Sequence, residues 1–469
     1  MVFNKIFERF ATAAPACVMH RALMENIFAP DKLDAMFRDA AELQYERELL
    51  FSSLVSLTSQ VVCRVSENVR TAYMDQREQI VVSLSAVYQK LRKVEPETSR
   101  ALVQFTARQA SELIDRCKGS RKPLLAGYDT FILDGNHLAK TQRRLKVLRM
   151  TSAGALPGQS LVLLDPARAL IHDLIPCEDG HAQERSLTDE VLPILTPRSL
   201  LIADRNFCTL KFLFGIAGRK ASYLVRQHGR MPWKPVENKA RYVGRSDTGR
   251  VYEQQIELCH PETGRVTQVR RITVRLKSAT RDGDTEIHLL TNLPAKVSAL
   301  KVAALYRTRW TLEQAFNELT THLRCELNTL GYPKAALFGF CVAAAAYNLL
   351  AATKGALRGV HGEEKLEKEV SNFYLTKEIN TVYGGMMVAV PPTEWEEFQT
   401  FSPATLADQL LCWARGADLT RYPKSTRGPK KPKPKCPNAQ FQHVATARLL
   451  DPDRYPSKRK RKTAAVPDN

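Results

Sequence analysis

Hydrophobic residues in the first quarter of the chain recur at the three- and four-residue spacing of amphipathic helices. Ile80, Leu84, Val87 and Leu91 follow this spacing, and a second periodic segment comes after them. Such a pattern buries one side of each helix and leaves the other side to solvent. We therefore predict a helical N-terminal domain at residues 1–120.

A second pattern begins near residue 121, where short apolar runs alternate with helical segments. The runs that predict strands are Phe131–Leu133, Leu145–Leu148, Leu161–Leu164, Leu200–Ala203 and Tyr223–Val225. Helical spacing lies between or after them, at Ser186–Leu195 and Leu210–Ala217. This alternation is typical of an α/β domain, which we place at residues 121–229.

Residues 230–292 show a different hydrophobic pattern, in which three longer predicted strands are separated by turns. The strands are Val251–Leu258, Val266–Leu276 and Glu286–Leu290. The turns are His260–Gly264 and Arg281–Asp284, the second with the Asp-Gly pair that favours hairpins. We predict an antiparallel β insertion between two halves of the α/β domain.

Helical patterns return at residues 293–357, which we assign to the second half of the α/β domain, and continue more weakly through 358–420. The apolar run at 335–353 is long enough to be confused with a membrane span. It contains Tyr347 and Asn348 and follows directly on an amphipathic helix. We predict a buried core helix there rather than a transmembrane segment.

The net charge of the chain is more informative about its partners than its overall composition is. Hydrophobic content of 44% and charged content of 25% are ordinary for a soluble globular protein of two to four domains. The formal net charge of +20, however, suits a polyanionic partner such as DNA. The helical domain at 1–120 is accordingly either a DNA-binding module or a scaffold with a solvated basic face.

The C-terminal tail concentrates this charge. Residues 421–469 carry 14 Lys and Arg against 3 Asp and Glu, a net of +11. Its Pro/Lys-rich and Lys/Arg-rich stretches cannot hold a helix, so we predict a basic, disordered tail. Two roles stay open for it, solubilising the protein and binding the DNA backbone.

The spacing of the cysteines and the N-terminal sequence indicate in which cellular compartment the protein is expected. None of the ten cysteines forms a C-x2-C pair, and nothing suggests a disulfide framework, so a structural zinc site is not expected. The N-terminal sequence lacks a signal-peptide apolar stretch. We expect a cytoplasmic protein, associated with the nucleoid if it is bacterial.

Three carboxylates stand out as candidates for chemistry. Asp134 and Asp204 each follow a buried apolar run, so a rigid strand can hold each carboxylate at the edge of a sheet. Together with a helical Glu313 they form the set of oxygen ligands that a two-metal phosphoryl-transfer site needs. Taken singly, an aspartate at a strand end is also a common turn or cap residue.

The surroundings of Glu313 strengthen its candidacy. Tyr306, Arg309, Glu313 and Thr320 are separated by three, four and seven residues, so a continuous helix would place them on one face. Arg309 could hold a DNA phosphate near the metals, or could form an ordinary surface pair with Glu313. Trp310 could stack on an unpaired base or pack in the core.

The chain resembles DDE transposases of the IS4 insertion-sequence family, which is related to the Tn5 and Tn10 transposases. The resemblance covers residues 125–355 and rests on four motifs: Leu133-Asp-Gly135, Ile202-Ala-Asp-Arg-Asn-Phe207, Leu290-Thr-Asn-Leu293 and Leu305-Tyr-Arg-Thr-Arg-Trp-Thr-Leu-Glu-Gln-Ala-Phe316. It implies an RNase H-like catalytic core interrupted by a β-rich insertion, with helical N- and C-terminal regions.

The resemblance also implies a mechanism. Asp134, Asp204 and Glu313 would bind two Mg²⁺ ions, with Mn²⁺ as a substitute. Tyr306 and Arg309 would contact DNA near the scissile end. The expected reaction is release of a 3′-hydroxyl at each terminal inverted repeat, followed by its attack on target DNA. A homodimer assembled on paired double-stranded DNA ends is the expected partner arrangement.

Two positions bear on how closely the chain follows this family. Trp310 occupies the position of an aromatic residue beside the transposon end. The family motif has a lysine seven residues after its glutamate, and Thr320 stands at that position here. Arg324, four residues further on, could supply the missing charge. A transposase-derived DNA-binding protein without catalysis and an RNase H-like nuclease remain the alternatives to an active transposase.

Overall fold

The N-terminal part of the computed structural model is helical, as its hydrophobic pattern predicts. The structure describes residues 4–44, 48–138, 145–149, 154–280, 283–327, 329–424 and 443–454. Its first helices are α1 (Lys5–Ala13), α2 (Pro15–Ile27), α3 (Pro30–Ala40), α4 (Phe51–Val62), α5 (Val69–Asp75), α6 (Leu84–Leu91) and α7 (Pro96–Arg116). Local signals start several of them, since the side chains of Asn4, Asn68 and Ser83 accept hydrogen bonds from the first turns of α1, α5 and α6.

A ten-stranded mixed sheet forms the centre of the molecule. Its strands are β1 (Asp129–Leu138), β3 (Gly158–Asp165), β4 (Leu170–Cys177), β5 (Ser199–Ala203), β6 (Ser222–Arg226), β7 (Lys234–Pro235), β8 (Arg241–Arg245), β9 (Gly249–Cys259), β10 (Val266–Leu276) and β11 (Glu286–Thr291). A separate short strand, β2 (Gly154–Leu156), precedes β3. Helix α9 (Leu210–Gly218) connects β5 to β6. The described residues thus form a mixed α/β protein.

The order of the strands is β4-β3-β1-β5-β6-β11-β10-β9-β7, with β8 also paired to β9. Strand β3 runs antiparallel to both β1 and β4, whereas β1, β5 and β6 are mutually parallel. The strands of the predicted insertion do not form a sheet of their own. Instead β11 pairs antiparallel with β6, and β10 and β9 follow, so the insertion extends the central sheet.

One strand prediction is wrong. The apolar run Leu145–Leu148 does not form a strand, because Lys146–Arg149 is a short helix, α8. The segment has three apolar residues and Lys146, which is too few to show a periodicity that distinguishes strand from helix. The segment Ser186–Leu195 is helical as expected but adopts the tighter 3-10 geometry, in two pieces at Glu184–Glu190 and Leu192–Ile194.

After β11 the chain is again helical. The helices are α10 (Ala299–Arg307), α11 (Trp310–His322), α12 (Pro333–His361), α13 (Glu363–Glu369), α14 (Asn372–Ala389), α15 (Pro392–Glu396) and α16 (Pro403–Arg415). Among the described residues α12 alone is long and apolar enough to cross a membrane, and its most apolar stretch is wholly buried inside the protein. It is therefore placed as the predicted core helix.

Asn348 shows how α12 joins the sheet. Its side chain is fully buried. The Asn348 amide accepts from the backbone N–H of Ile171 at 2.8 Å and donates to the Ile171 carbonyl at 2.9 Å. Strand β4 lies at the edge of the sheet, so Asn348 pairs backbone groups that a further strand would otherwise satisfy.

Part of the predicted disordered tail is ordered. Residues His443–Ala445 form β12, which pairs in parallel with β2, and α17 (Thr446–Leu450) follows. Arg448 of α17 makes a two-pronged ion pair with Asp179, with its shortest N–O distance at 2.7 Å. The Pro/Lys-rich stretch and the terminal Lys/Arg run lie outside the described residues.

Candidate active site

Two aspartates lie side by side at one edge of the central sheet. Leu133 of β1 and Ala203 of β5 are register partners in a parallel pair, so Asp134, the next residue of β1, lies beside Asp204, which directly follows β5. Strand β1 does not end at Asp134 but continues to Leu138. Adjacent strands are about 4.8 Å apart, which brings the two side chains close together. Backbone N–H groups of the following residues, Gly135 and Arg205, each donate to the neighbouring aspartate.

Arg309 joins the third carboxylate to this pair. Its guanidinium lies 2.8 Å from Asp134 Oδ2 and 3.0 Å from Glu313 Oε1. The Tyr306 hydroxyl donates to Asp204 Oδ1 at 3.5 Å. The helix expected to carry these residues is interrupted at Thr308, between α10 and α11, yet its side chains still reach the two aspartates.

Burial and neighbouring charges shift the pKa values of three residues in the site. Burial raises the pKa of Asp134 to about 6, Arg309 opposes this shift, and the charges of Asp204 and Glu184 add to it. Burial by itself lowers the pKa of Arg309, but Asp134 and its neighbours outweigh burial and hold the pKa above its ordinary value. Burial and the charge of Asp204 keep the pKa of Tyr306 well above 10, so its hydroxyl remains a donor at neutral pH.

Trp310 and Thr320 both lie at the surface. The Trp310 side chain is 59% exposed, so of the two alternatives for this residue the one that packs it in the core is wrong. The Arg309 guanidinium lies 5.2 Å from the centre of its ring, which ties the ring to the carboxylate cluster. Thr320 is exposed and its hydroxyl donates to the carbonyl of Phe316.

Arg324 is not brought to the carboxylates. Helix α11 ends at His322, so Arg324 is not on the helical face of Glu313, contrary to the expectation from spacing. Its guanidinium instead contacts Glu67, with distances of 2.6 Å to the carbonyl and 3.0 Å to the carboxylate. The break in the helix was not evident from the sequence, since no Gly or Pro lies between the two residues.

Two neighbours of the aspartates were missed by sequence reasoning. Glu184, at the start of the 3-10 helix that follows β4, approaches β1 beside Asp134. Asn206, two residues after Asp204, donates to Glu184 at 3.3 Å. Neither has a local signal, because Glu184 lies in a polar segment with no regular spacing to the other acidic residues.

A cationic cavity of about 630 Å³ opens beside Asp204. The basic residues that line it are Arg185, Arg205, Lys211 and Arg230. Lys211 is paired with Asp189, whereas Arg205 and Arg230 make no ion pair within the described part of the chain. A second cavity of about 910 Å³ lies at the opposite edge of the sheet, near Asp129 and Ser199, away from the carboxylates.

The donor set suits a hard divalent cation such as Mg²⁺, because Asp134, Asp204 and Glu313 offer only carboxylate oxygens. Their arrangement is balanced by a protein cation, since Arg309 bridges Asp134 and Glu313. Within the described residues no group of three or more His, Cys, Asp or Glu side chains is close enough to hold a metal ion as it stands. Arg309 therefore pairs with two of the three carboxylates that would hold a cation.

The part of the chain that contains this site is similar to known proteins. A family model described as the transposase DDE domain matches residues 131–349. A protein of Sinorhizobium fredii named "Putative transposase y4zB" is 32% identical over 125 residues, which cover 26% of this chain and 33% of that protein. The match thus spans about a third of the length of this curated relative.

Among solved structures, the cryo-EM structure of the piggyBac transposase synaptic complex with hairpin DNA aligns over 88% of this chain and 87% of that one. The identity is 10% and the TM-score is 0.38. The family match is more informative, because it starts at Phe131 and includes Asp134, Asp204, Arg309 and Glu313. Residues 131–349 of this chain thus match the model of the transposase DDE domain family, and that segment contains all three candidate carboxylates.

Proposed function

We propose that the protein is a DNA transposase of the IS4 type that cuts the ends of an insertion element and joins them to target DNA. The observation that carries this proposal is the convergence of Asp134, Asp204 and Glu313 around Arg309 within the matched family segment. The match to the transposase DDE domain supports DNA transposition in general, and the hydrolytic cut and the strand transfer are the finer steps of the proposal.

The sheet supports an RNase H-like core at 121–229 and 293–357. In that proposal β1, β3 and β4 form the antiparallel meander, and β5 and β6 continue the sheet in parallel on the other side of β1. Asp134 then lies within the first strand of the core, next to Asp204, which directly follows the fourth. The antiparallel strands β9, β10 and β11 extend this core as the proposed insertion.

The proposed cofactor is Mg²⁺, held by Asp134, Asp204 and, once Arg309 has moved, Glu313. When bound, divalent cations supply activation of a water or 3′-hydroxyl and stabilisation of the leaving oxygen. Arg309 is 11% exposed and already sits among the charges that the cation would balance. A DNA phosphate offers the guanidinium an alternative anion, so DNA binding would release the carboxylates.

Other side chains have proposed roles in binding DNA. Tyr306 holds Asp204 in position through its hydroxyl. Trp310 presents an exposed ring beside Arg309 on which an unpaired base could stack. Arg205 and Arg230, in the cavity beside Asp204, are placed to hold the DNA backbone next to the scissile phosphate.

The proposal is tested with a plasmid that carries the DNA flanking the coding sequence. The wild-type protein with Mg²⁺ should nick at an inverted repeat, and Asp134→Asn, Asp204→Asn and Glu313→Gln should each abolish nicking while sparing DNA binding. Glu364→Gln is a matched control, because Glu364 is an exposed glutamate of α13 paired with Lys368. Retained cutting in one of the three site variants would remove that residue from the site.

The products separate this function from its alternatives. A transposase yields joined molecules, whereas an RNase H-like nuclease yields only fragments. Thr320, in place of a lysine, leaves open a DNA-binding protein without catalysis, because a phosphate contact of the family is missing. Sequence-specific binding without any cleavage would favour that alternative.

A further inference from the structure

One face of the sheet carries a row of arginines across β8, β9 and β10. Arg245 of β8 lies directly opposite Arg250 of β9, and Arg250 lies directly opposite Arg275 of β10. Side chains at directly opposed positions of neighbouring strands point to the same face of a sheet. All three arginines are exposed. This arginine row therefore presents three positive charges across about 10 Å of surface, the width of two strand spacings.

The opposite face of these strands belongs to the hydrophobic core. Val251 and Val274 are register partners and are buried there, in the cluster that includes residues of α10. Gly244 faces the same helix, since a Cβ atom placed on it would lie 3.2 Å from Cδ1 of Leu300. Successive side chains of a strand point to opposite faces, so the arginine row is turned away from the core.

The charges of the arginine row destabilise the isolated protein, because like charges on directly opposed residues repel each other. Arg275 is paired with Glu286 at 2.7 Å, but Arg245 and Arg250 form no ion pair within the described part of the chain. Charges on an edge strand protect it from pairing with other chains, which accounts for Arg245 on β8. This protection does not account for Arg250 and Arg275, because β9 and β10 are inner strands.

Aromatic rings hold one end of the row in place. The guanidinium carbon of Arg275 lies 4.6 Å from the centre of the Tyr252 ring. The Tyr242 ring packs edge-on against Tyr252 with the two ring centres 5.5 Å apart, and its side chain is 54% exposed. Stacking on a ring orients a guanidinium without using its N–H donors. Arginines combined with exposed aromatic rings are typical of surfaces that bind nucleic acids.

The arginine row lies at the same end of the sheet as the candidate active site. Its members are within two residues of the ends of their strands, on the side where Asp204 follows β5. The strand order places Arg275 three strands from Asp204 and Arg245 five strands from it. At about 4.8 Å per strand, these separations are about 15 and 25 Å.

The cationic cavity beside Asp204 opens on the same face of the sheet. Met231 in its wall belongs to the hydrophobic cluster that contains Leu290 of β11. Glu286 lies four residues before Leu290 on the same side of that strand and is the register partner of Arg275. The cavity and the arginine row thus form one basic path that leads away from the candidate active site.

We propose that the arginine row binds the phosphate backbone of duplex DNA about four to seven base pairs from the phosphate that is cut. This inference rests on the proposed function, because it takes the three carboxylates as the cutting site. The separation follows from the strand spacings, since duplex DNA rises by about 3.4 Å per base pair. Charge complementarity selects the occupant, because unpaired guanidinium groups arranged in a row match the regularly spaced phosphates of a polyanion.

The experiment measures the affinity of the full chain in EDTA for a duplex made from the DNA that flanks the coding sequence, at several salt concentrations. Arg245→Gln/Arg250→Gln removes two phosphate contacts, so the slope of log affinity against log salt concentration should become shallower by about two. The melting temperature should be equal or higher, because a like-charge pair is removed. Arg245→Lys/Arg250→Lys keeps both charges and should keep the wild-type slope.

Arg198→Gln/Arg219→Gln is the matched control, because it removes the same charge from the opposite end of the sheet. Both arginines are exposed, Arg198 directly before β5 and Arg219 directly after α9. The control should keep the wild-type slope. A wild-type slope in Arg245→Gln/Arg250→Gln, or an equal loss in both glutamine double variants, would overturn the inference.

Ethylation interference locates the contact on the DNA. In the wild type, ethylated phosphates about four to seven base pairs from the nick should block binding, and in Arg245→Gln/Arg250→Gln they should not. A wild type that cuts the duplex without interference at these phosphates would overturn this inference alone. A wild type that binds with the expected slopes but never cuts with Mg²⁺ would overturn the proposed function and leave the arginine row as a DNA-binding surface.

Discussion

Among single residues, Arg309 has the most direct contact with the candidate carboxylates. Its two ion pairs, with Asp134 and Glu313, hold together carboxylates that would otherwise repel each other. A side chain in this position cannot at the same time bind a DNA phosphate through the same guanidinium groups. In the proposed site Arg309 therefore competes with the metal in the absence of DNA.

Replacing Arg309 by glutamine should consequently increase metal affinity. We expect Arg309→Gln to bind Mn²⁺ several-fold more tightly than the wild type at pH 8 without DNA, and to unfold at a lower temperature in EDTA. Arg307→Gln is the control, because Arg307 is two residues away, half exposed and paired with Asp247. Equal or weaker Mn²⁺ binding by Arg309→Gln would show that the guanidinium does not compete.

The raised pKa of Asp134 predicts a pH dependence of stability. The folded protein keeps the Asp134 proton up to about pH 6, whereas the unfolded chain releases it near 3.8. The folded state therefore binds more protons in this window, and the wild type loses stability as the pH rises through it. The contribution is about 3 kcal/mol for a shift of roughly two units.

Asp134→Asn has no carboxyl group to titrate at this position. Its free energy of unfolding should therefore increase relative to that of the wild type as the pH rises from 4 to 7 in EDTA. Denaturant unfolding of both proteins across this range measures the difference. A difference that is flat, or that changes in the opposite direction, would mean that the environment of Asp134 does not disfavour its charge.

Some of these residue-level features could be predicted and others could not. Asp134 and Asp204 were found because each ends an apolar run, and Glu313 because of its spacing from Tyr306 and Arg309. Glu184 could not be found in this way, since its approach depends on a 3-10 turn and on the missing side chain of a glycine. The exposure of Trp310 likewise depends on how α11 packs.

At the scale of elements, the contact between α12 and β4 is a polar one inside the core. Asn348→Leu would keep the volume of the side chain but leave the N–H and C=O groups of Ile171 without partners. We expect a loss of about 2–4 kcal/mol in unfolding free energy, because two buried backbone groups become unsatisfied. Asn380→Leu, at a half-buried position of α14, is the control and should change stability little.

The ordered part of the tail is held by a short strand and by two ion pairs, of Arg448 with Asp179 and of Arg454 with Glu178. Arg448→Ala removes the two-pronged contact with Asp179, which should loosen β12 and α17 without unfolding the core. Hydrogen exchange should then become at least several-fold faster at residues 443–450 and stay unchanged in β5. Unchanged protection at 443–450 would mean that β12 and the Arg454–Glu178 pair are enough to hold the segment in place.

Element types were predictable where the hydrophobic pattern was long. The N-terminal helices, the strands of the insertion and helix α12 all follow from periodic or continuous apolar runs. The short helix at Lys146–Arg149 and the strand at His443–Ala445 do not, because three or four residues carry no period and their structure depends on a distant partner. For the same reason the pattern could not reveal that the insertion continues the central sheet through the pairing of β11 with β6.

At the scale of the whole molecule, excess positive charge is the main feature, and the last residues carry a dense part of it. A chain ending at Arg454 keeps β12 and α17 but loses the Lys/Arg run at 458–462. We expect this truncation to weaken DNA binding and to flatten its dependence on salt, because fewer counterions are released. An unchanged salt slope in a binding titration would leave the run with a solubilising role only.

The α/β class of the molecule follows from the alternation of strands and helices, but the edge of the sheet that carries the chemistry follows from topology. Only the parallel pairing of β1 and β5 makes Asp134 and Asp204 neighbours. Their separation in sequence is compatible with many other arrangements.

The central claim is that these carboxylates cut DNA as one metal-dependent site. The most direct measurement is Mg²⁺-dependent nicking of a supercoiled plasmid bearing the flanking inverted repeat, comparing the wild type with Asp204→Asn. We predict nicks at the repeat followed by joined products with the wild type, and DNA binding without nicks for Asp204→Asn. Equal nicking by both proteins, or none by the wild type under conditions where it binds the repeat, would contradict the account.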